Sequence, residues 1–324
     1  MKTWPAEHRQ TKIDPLDTEL LIAHALKKPR EWVLAHPEYQ VSKCVSAQVN
    51  KLIKKRASGM PLAYLTDRKE FFGLEFFVNK HVLIPRPETE TMVSLALDQL
   101  QTSDFRLQTI LIDVGTGSGC IPIAIACHCE ERTKRATRQS HANPEIASSP
   151  SVPRNDIKFF ATDISRSALA VARRNVKKHG VKIKFLHGDL LSPIPPLIKG
   201  GRPARHAEQG KAGGGDFGQQ IIITANLPYL TPQQFASEPS IQHEPRLALV
   251  AGKDGLKYYK KLLLQIRQLS KTYNLKPKTY LEIDPSQSSP IKLLIKKYLP
   301  QAKIIIHQDL AGRNRVVKIG FPPL

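Results

Sequence analysis

The feature that most constrains this chain is the run Gln108-Thr109-Ile110-Leu111-Ile112-Asp113-Val114 followed at once by Gly115-Thr116-Gly117-Ser118-Gly119. A hydrophobic, β-branched strand leads into a glycine-rich loop, and the residues from Cys120 onward carry a helical apolar pattern. Strand, glycine loop and helix in that order form the junction at which a parallel α/β sheet lets its backbone approach a nucleotide-like ligand. The spacing here is G-x-G-x-G, a form met more often with S-adenosylmethionine (AdoMet) than the G-x-G-x-x-G of dinucleotide enzymes. Taken by itself, the loop also reads as a tight strand-to-helix turn with no ligand.

The surrounding pattern extends the same architecture. From about residue 88 a helix through Met92, Leu95 and Leu100 precedes the strand. The strand IKFFATD, a helix through Leu169 and Val176, and the strands KIKFLHGD, QIIITAN and KTYLEID come after it. A helix through Tyr259, Leu263 and Ile266 separates the last two; AKIIIHQD and, after a turn, RVVKIGF bring the sheet to about seven strands. Such alternation predicts a parallel sheet covered by helices, so the expected fold class is α/β and Rossmann-like over residues 88–324. Two stretches interrupt it, about 131–155 rich in Ser, Thr, Arg and Pro, and 199–218 rich in Gly. Both read as flexible surface insertions.

Ahead of this domain, residues 14–59 read as helical. Asp14-Pro15 is a start signal, Leu16, Leu20 and Ala23 share one face, Val45, Val49 and Leu52 repeat the pattern, and Gly59 closes it. The expected organisation is a small helical domain over residues 1–70 and a β-hairpin or linker over 71–87. The latter rests on the aromatic and β-branched run KEFFGLEFFVNKHVLIPRP with its Pro-Arg-Pro break.

Composition bounds the function. No apolar run approaches the length of a bilayer span, and MKTWPAEHRQTK lacks the apolar stretch of a secretory signal, so a soluble, cytoplasmic protein is expected. The net charge of +21 suits a protein that approaches nucleic acid or a nucleoprotein particle. Lysine and arginine are nonetheless spread along the chain, and a generally solvated basic surface is an equal reading. Cys44, Cys120, Cys127 and Cys129 match neither a zinc-ligand nor a disulfide pattern and read as buried free thiols, with no metal expected.

Three further positions carry chemistry. Asp163 ends the strand FFATD, where a carboxylate can accept both hydroxyls of a ribose. Asp189, at the end of the next strand, can accept from an adenine amino group with Leu190 against the ring; either aspartate can instead cap the following helix. Asn226-Leu227-Pro228-Tyr229 stands at the carboxyl end of QIIITA, where open α/β sheets place reacting groups. It is similar to the Asn-Pro-Pro-Tyr motif of methyltransferases that modify amide or exocyclic amino nitrogens. A conjugated nitrogen is a poor nucleophile, so its two N–H groups need acceptors that aim its lone-pair face at the methyl donor.

Taken in order, Tyr64-Leu65-Thr66, FFGLEFFVNKHVLIPRPETE, GTGSG, ANLPY, EPRLALVAGKDGL and AGRNR resemble the HemK/PrmC family, the N5-glutamine methyltransferases of peptide-chain release factors. The resemblance runs from about Leu62 to the C-terminus. It implies a seven-stranded, class I AdoMet-dependent domain preceded by a helical substrate-binding domain and a hairpin. The implied substrate is the glutamine of the Gly-Gly-Gln loop in class 1 release factors. It further implies that Gly115, Thr116, Gly117, Ser118, Gly119 and Asp163 bind AdoMet and that Asp189 and Leu190 border adenine. Asn226, Leu227, Pro228 and Tyr229 would hold the glutamine amide, with Asn226 also facing the cofactor.

Two residues depart from the family pattern: Leu227 stands in place of the first proline, and Leu190 in place of a larger aromatic. Arg86, Glu244 and Arg246 read either as the substrate mouth or as a structural ion pair. A monomer is expected, with no membrane and no need for direct nucleic-acid binding. The competing functions are an N6-adenine methyltransferase, a methyltransferase of another protein such as a ribosomal protein, and a catalytically silent AdoMet-fold binding module.

Overall fold

The computed structural model describes residues 13–102, 108–142, 157–194 and 219–322. The 199–218 stretch lies outside them. Four helices come first, α1 (Pro15–Leu26), α2 (Arg30–Ala35), α3 (Lys43–Ala57) and α4 (Leu62–Thr66). The Asp14 carboxylate accepts from Leu16 N at 2.7 Å and caps α1. The buried face of α1 differs in part from the expected one: Ala23 is buried but Leu16 is exposed, and Leu21 and Ile22 pack with Val33, Val49, Ile53 and Leu65. A helix buries the stripe its neighbours cover, and α3 and α4 cover the side of α1 that carries Leu21.

The hairpin starts earlier than the pattern suggested, with β1 (Arg68–Phe71) and β2 (Leu74–Phe77) joined by Phe72-Gly73. Both turn residues have positive φ, 52° and 71°, the two-residue geometry that matches strand twist.

A buried side chain helps dock the hairpin. Asn175, fully buried on α7 (Arg166–His179), accepts from Phe77 N at 2.8 Å and donates to Phe77 O at 3.0 Å and to Ser118 O at 2.8 Å. Hairpin, helix and glycine loop therefore share one hydrogen-bond hub.

The main sheet has seven strands: β3 (Gln108–Val114), β4 (Lys158–Asp163), β5 (Lys184–His187), β6 (Gln219–Ala225), β7 (Lys278–Glu282), β8 (Lys303–Gln308) and β9 (Asn314–Gly320), in the order β5-β4-β3-β6-β7-β9-β8. The sheet is mixed rather than wholly parallel, because β9 runs antiparallel to both neighbours. The link from β8 to β9 is a tight turn around Gly312, too short for the crossover a parallel pair needs.

Strand alternation sorts the core. Ile110, Ile112, Val114, Ile221, Ile223 and Leu281 pack under the helices Lys257–Tyr273 and Ser288–Tyr298. Leu111, Ile222 and Tyr280 face the opposite side, with α5 (Glu90–Gln101) and α6 (Cys120–Ala142). Residues 131–142, read as the start of an insertion, continue α6; the remainder of that stretch is not described.

The cysteines differ from the expectation too. Cys120 is buried, Cys127 and Cys129 are half-buried, and Cys44 is exposed, since α3 turns that side to solvent. Among the described residues no helix is long and apolar enough to cross a membrane.

Candidate active site

The strand order reverses between β3 and β6, which opens a crevice at their carboxyl ends. A cleft sits there. It is lined by Gly115, Thr116, Gly117, Ser118, Asp163, Asp189, Leu190, Asn226, Leu227 and Pro228, so ten of the positions singled out in sequence meet in one place. Gly119 and Tyr229 flank the cleft without lining it.

Gly119 has a packing role. Its φ is +80°, and a Cβ there would lie 3.0 Å from Ile123 and 3.3 Å from Ala172, so its absence lets α6 approach α7. The Tyr229 side chain is half-buried with Glu282, Arg315, Asp284 and Arg86 as its charged neighbours, and burial raises its hydroxyl pKa above the ordinary value. Its carbonyl accepts from Gln287 Nε2 at 3.0 Å.

The loop is held by its own backbone. Gly115 N and Thr116 N donate to Thr162 O at 2.9 and 3.0 Å. Gly117 N donates to Asp163 Oδ2 at 2.9 Å, and Ser165 N to Asp163 Oδ1 at 2.8 Å. Asp163 thus ties the loop to the next strand, while the capping of α7 falls to the Ser165 hydroxyl, which accepts from Ala168 N. Burial raises the Asp163 pKa. Each of its oxygens keeps a lone pair for a further donor, as a ribose would supply.

Behind the loop, Asp113 is fully buried and accepts from the Thr224 hydroxyl at 2.8 Å, a bond between β3 and β6. Burial pushes its pKa up to about 6, offset by hydrogen bonding with Thr116 and Thr224.

Asp189 lies at the cleft edge with its carboxylate on Lys261 Nζ. Leu190 has φ +53°, a conformation rare for a leucine, which turns the chain at the cleft wall. Tyr258 also lines the cleft and brings an aromatic ring that sequence reading did not assign.

At the mouth, the Glu244 carboxylate accepts from Ile84 N at 3.0 Å and from the Arg86 guanidinium. Glu244 is buried and Arg86 lines the cleft, so the pair is both structural and part of the wall. Arg246 is placed differently, with its guanidinium 5.4 Å from the Phe235 ring centroid. Pro245, Leu247 and Ala248 complete that rim.

The polar groups around Asn226 were also missed in sequence. Asn226 Nδ2 donates to Thr89 Oγ1 at 3.1 Å, and Glu282 lies beside both. A buried glutamate that ends a core strand was the available signal.

A seven-stranded sheet with this reversal, a glycine loop and an Asn-x-Pro-Tyr turn at adjacent strand ends defines a class I AdoMet-dependent methyltransferase fold. The catalytic domain of hMettl16 in complex with MAT2A 3′UTR hairpin 6 shares that fold at a TM-score of 0.50 and 16% identity, covering 83% of this chain and 81% of that one.

Sequence relatives are more specific. A family model described as the PrmC N-terminal domain matches residues 6–66. The release factor glutamine methyltransferase of Coxiella burnetii is 32% identical over 95% of this chain and 92% of its own. That of Dictyoglomus turgidum is 30% identical over 94% and 90%. The chain belongs to the release factor glutamine methyltransferase family.

Proposed function

We propose that this chain transfers a methyl group from AdoMet to the side-chain amide nitrogen (N5) of the glutamine in the Gly-Gly-Gln loop of class 1 release factors. The observation that carries the reading is the meeting of the glycine loop, Asp163 and Asn226-Leu227-Pro228 in one cleft. Family membership supports the substrate.

The residues present fit the cofactor. The glycine loop lines the cleft, Asp163 has acceptor capacity for the ribose, and Asp189 and Leu190 border the adenine position. Lys261 would then share Asp189 with the ligand. Bound AdoMet supplies a methyl group activated by a sulfonium centre.

The chain's own work is positioning. Asn226 Oδ1 and the Leu227 carbonyl accept the two N–H groups of the substrate amide, which holds the nitrogen face toward the donor. Pro228 biases Leu227 to an extended conformation, so its carbonyl is aimed without the missing first proline. As the new N–C bond forms, the amide nitrogen becomes acidic and gives its proton to water or a carbonyl, so no strong base is needed. The helical segment 1–70 helps hold the release factor, and Arg86 and Glu244 shape the entry.

The test is mass spectrometry of a purified class 1 release factor incubated with this protein and AdoMet. One added methyl on the Gly-Gly-Gln glutamine is expected. A factor that stays unmodified while AdoMet binds would move the substrate to another protein or to adenine in nucleic acid.

A further inference from the structure

Glu282 is the last residue of β7 and is 1% exposed. Strand alternation sets its direction. Tyr280 packs on the face of the sheet that carries α5, and Glu282, two residues on, shares that face. In β6 the same face carries Ile222 and Thr224, and Asn226 follows at the next position of that series. Because Ala225 pairs with Leu281, the side chains of Asn226 and Glu282 are neighbours across the ladder. Thr89, at the start of α5, closes the group from above.

We infer that Glu282 is the positioning residue that fixes which end of the Asn226 amide faces the substrate. The assignment deepens the proposed function and rests on it for the reaction, but its structural part stands on the geometry alone. An ionised carboxylate can only accept hydrogen bonds. Placed beside Thr89 Oγ1, it makes the interior side of Asn226 a site for N–H and leaves Oδ1 for the cleft. A flipped Asn226 would set Oδ1 against the carboxylate and turn two donors toward the substrate's own N–H groups.

Glu282 keeps acceptor capacity for this role, since its Oε2 is buried with no partner among the described residues. The carboxylate is also poised. Burial pushes its pKa up to about 7, offset by hydrogen bonding with Thr89, by the Arg315 guanidinium and by hydrogen bonding with Asn226, while Glu88 pushes it further up. Other titratable groups near it are the Tyr229 hydroxyl and the Cys120 thiol, and its backbone carbonyl accepts from the Tyr259 hydroxyl at 2.5 Å. When protonated, Glu282 becomes a donor and no longer excludes the flipped amide. Methyl transfer should therefore lose activity as pH falls through neutrality.

Two readouts test the assignment in the full chain. In ¹⁵N-labelled protein the Asn226 side-chain NH₂ resonances, identified by their loss in Asn226→Ala, should move with pH around neutrality in the wild type and stop moving in Glu282→Gln. In single-turnover methyl transfer, Glu282→Gln should be slower by about tenfold to a hundredfold, as for other residues that orient a reacting group, with AdoMet affinity kept and the acid limb of the pH profile gone. Thr89→Ser should stay near wild type and Thr89→Val should lose rate, which serves if Glu282→Gln folds poorly. Resonances that do not titrate in the wild type, or a Glu282→Gln enzyme with wild-type rate and acid limb, would overturn the assignment. A wild-type protein that leaves the release factor unmethylated would count against the proposed substrate, and the resonance titration would still decide the role of Glu282.

Discussion

Gly255→Ala should damage the active site without placing an atom in the cleft. Gly255 has φ +68°, in the left-handed region, and a Cβ there would overlap the Tyr229 carbonyl oxygen and come within 2.6 Å of Gln287 Nε2. Gln287 is the clamp between the two, donating to Tyr229 O at 3.0 Å and to Gly255 O at 3.3 Å. The carbonyl cannot move away alone, because the next residue is also tied: Leu230 N donates to Leu249 O at 2.9 Å and Ala251 N to Leu230 O at 2.8 Å. The left-handed conformation costs an alanine about 1–2 kcal/mol and the overpacking about 1–3, so roughly 2–5 kcal/mol in all. For a chain of this size that lowers the melting temperature by roughly 5–15 °C.

A backbone shift at Tyr229 also displaces the Leu227 carbonyl and Asn226, and misplacement near 1 Å costs about a hundredfold in rate. Thermal denaturation followed by circular dichroism and single-turnover methyl transfer read the two effects. Gln287→Ala, which removes the clamp without adding bulk, should fall between the wild type and Gly255→Ala. A Gly255→Ala protein with unchanged melting and unchanged rate would refute the view that this glycine is what lets the 226–229 turn sit where it does.

Other substitutions separate the remaining roles. Asn226→Ala should reduce methyl transfer by about a hundredfold or more with AdoMet binding retained in calorimetry, and a near-normal rate would remove Asn226 from the reaction. Asp163→Ala should weaken AdoMet binding, both through the ribose and by releasing Gly117 N; unchanged affinity would refute the assignment.

Asp113 predicts a pH effect on stability. Its pKa rises from 3.8 to about 6 in the folded chain, so the folded state binds the proton more tightly. Its stabilising contribution is complete below about pH 4 and is lost as pH rises through about 6, on the order of 3 kcal/mol. Asp113→Asn should flatten that part of the urea-midpoint profile. An unaltered profile would show that the carboxylate ionises as freely as in the unfolded chain.

What was legible in the sequence lies in short windows. A strand, a glycine loop and a helix specify a local backbone path, so Gly115 to Ser118 could be placed before any tertiary contact was known. Asp163, Asp189 and Asn226 were legible for the same reason, each being the polar residue that ends a hydrophobic strand. Even the type of the small N-terminal domain follows from helical periodicity.

The structure decided what depends on residues far apart in the chain. The face α1 buries was set by α3 and α4, and the reversed β9 by the shortness of its connecting turn. Glu244 closes on Ile84 and Arg86, Asn175 on Phe77 and Ser118, and Gln287 on Tyr229. In sequence nothing marks Asn175 or Gln287 as buried and Glu244 reads as substrate mouth or ion pair, because hydrogen-bond partners that make burial tolerable are brought together only when the sheet assembles. Glu282 shows the difference most plainly. As the end of KTYLEID it is one carboxylate among 28 acidic residues. The pairing of β6 with β7 is what sets it beside Asn226, and no window of adjacent residues contains both.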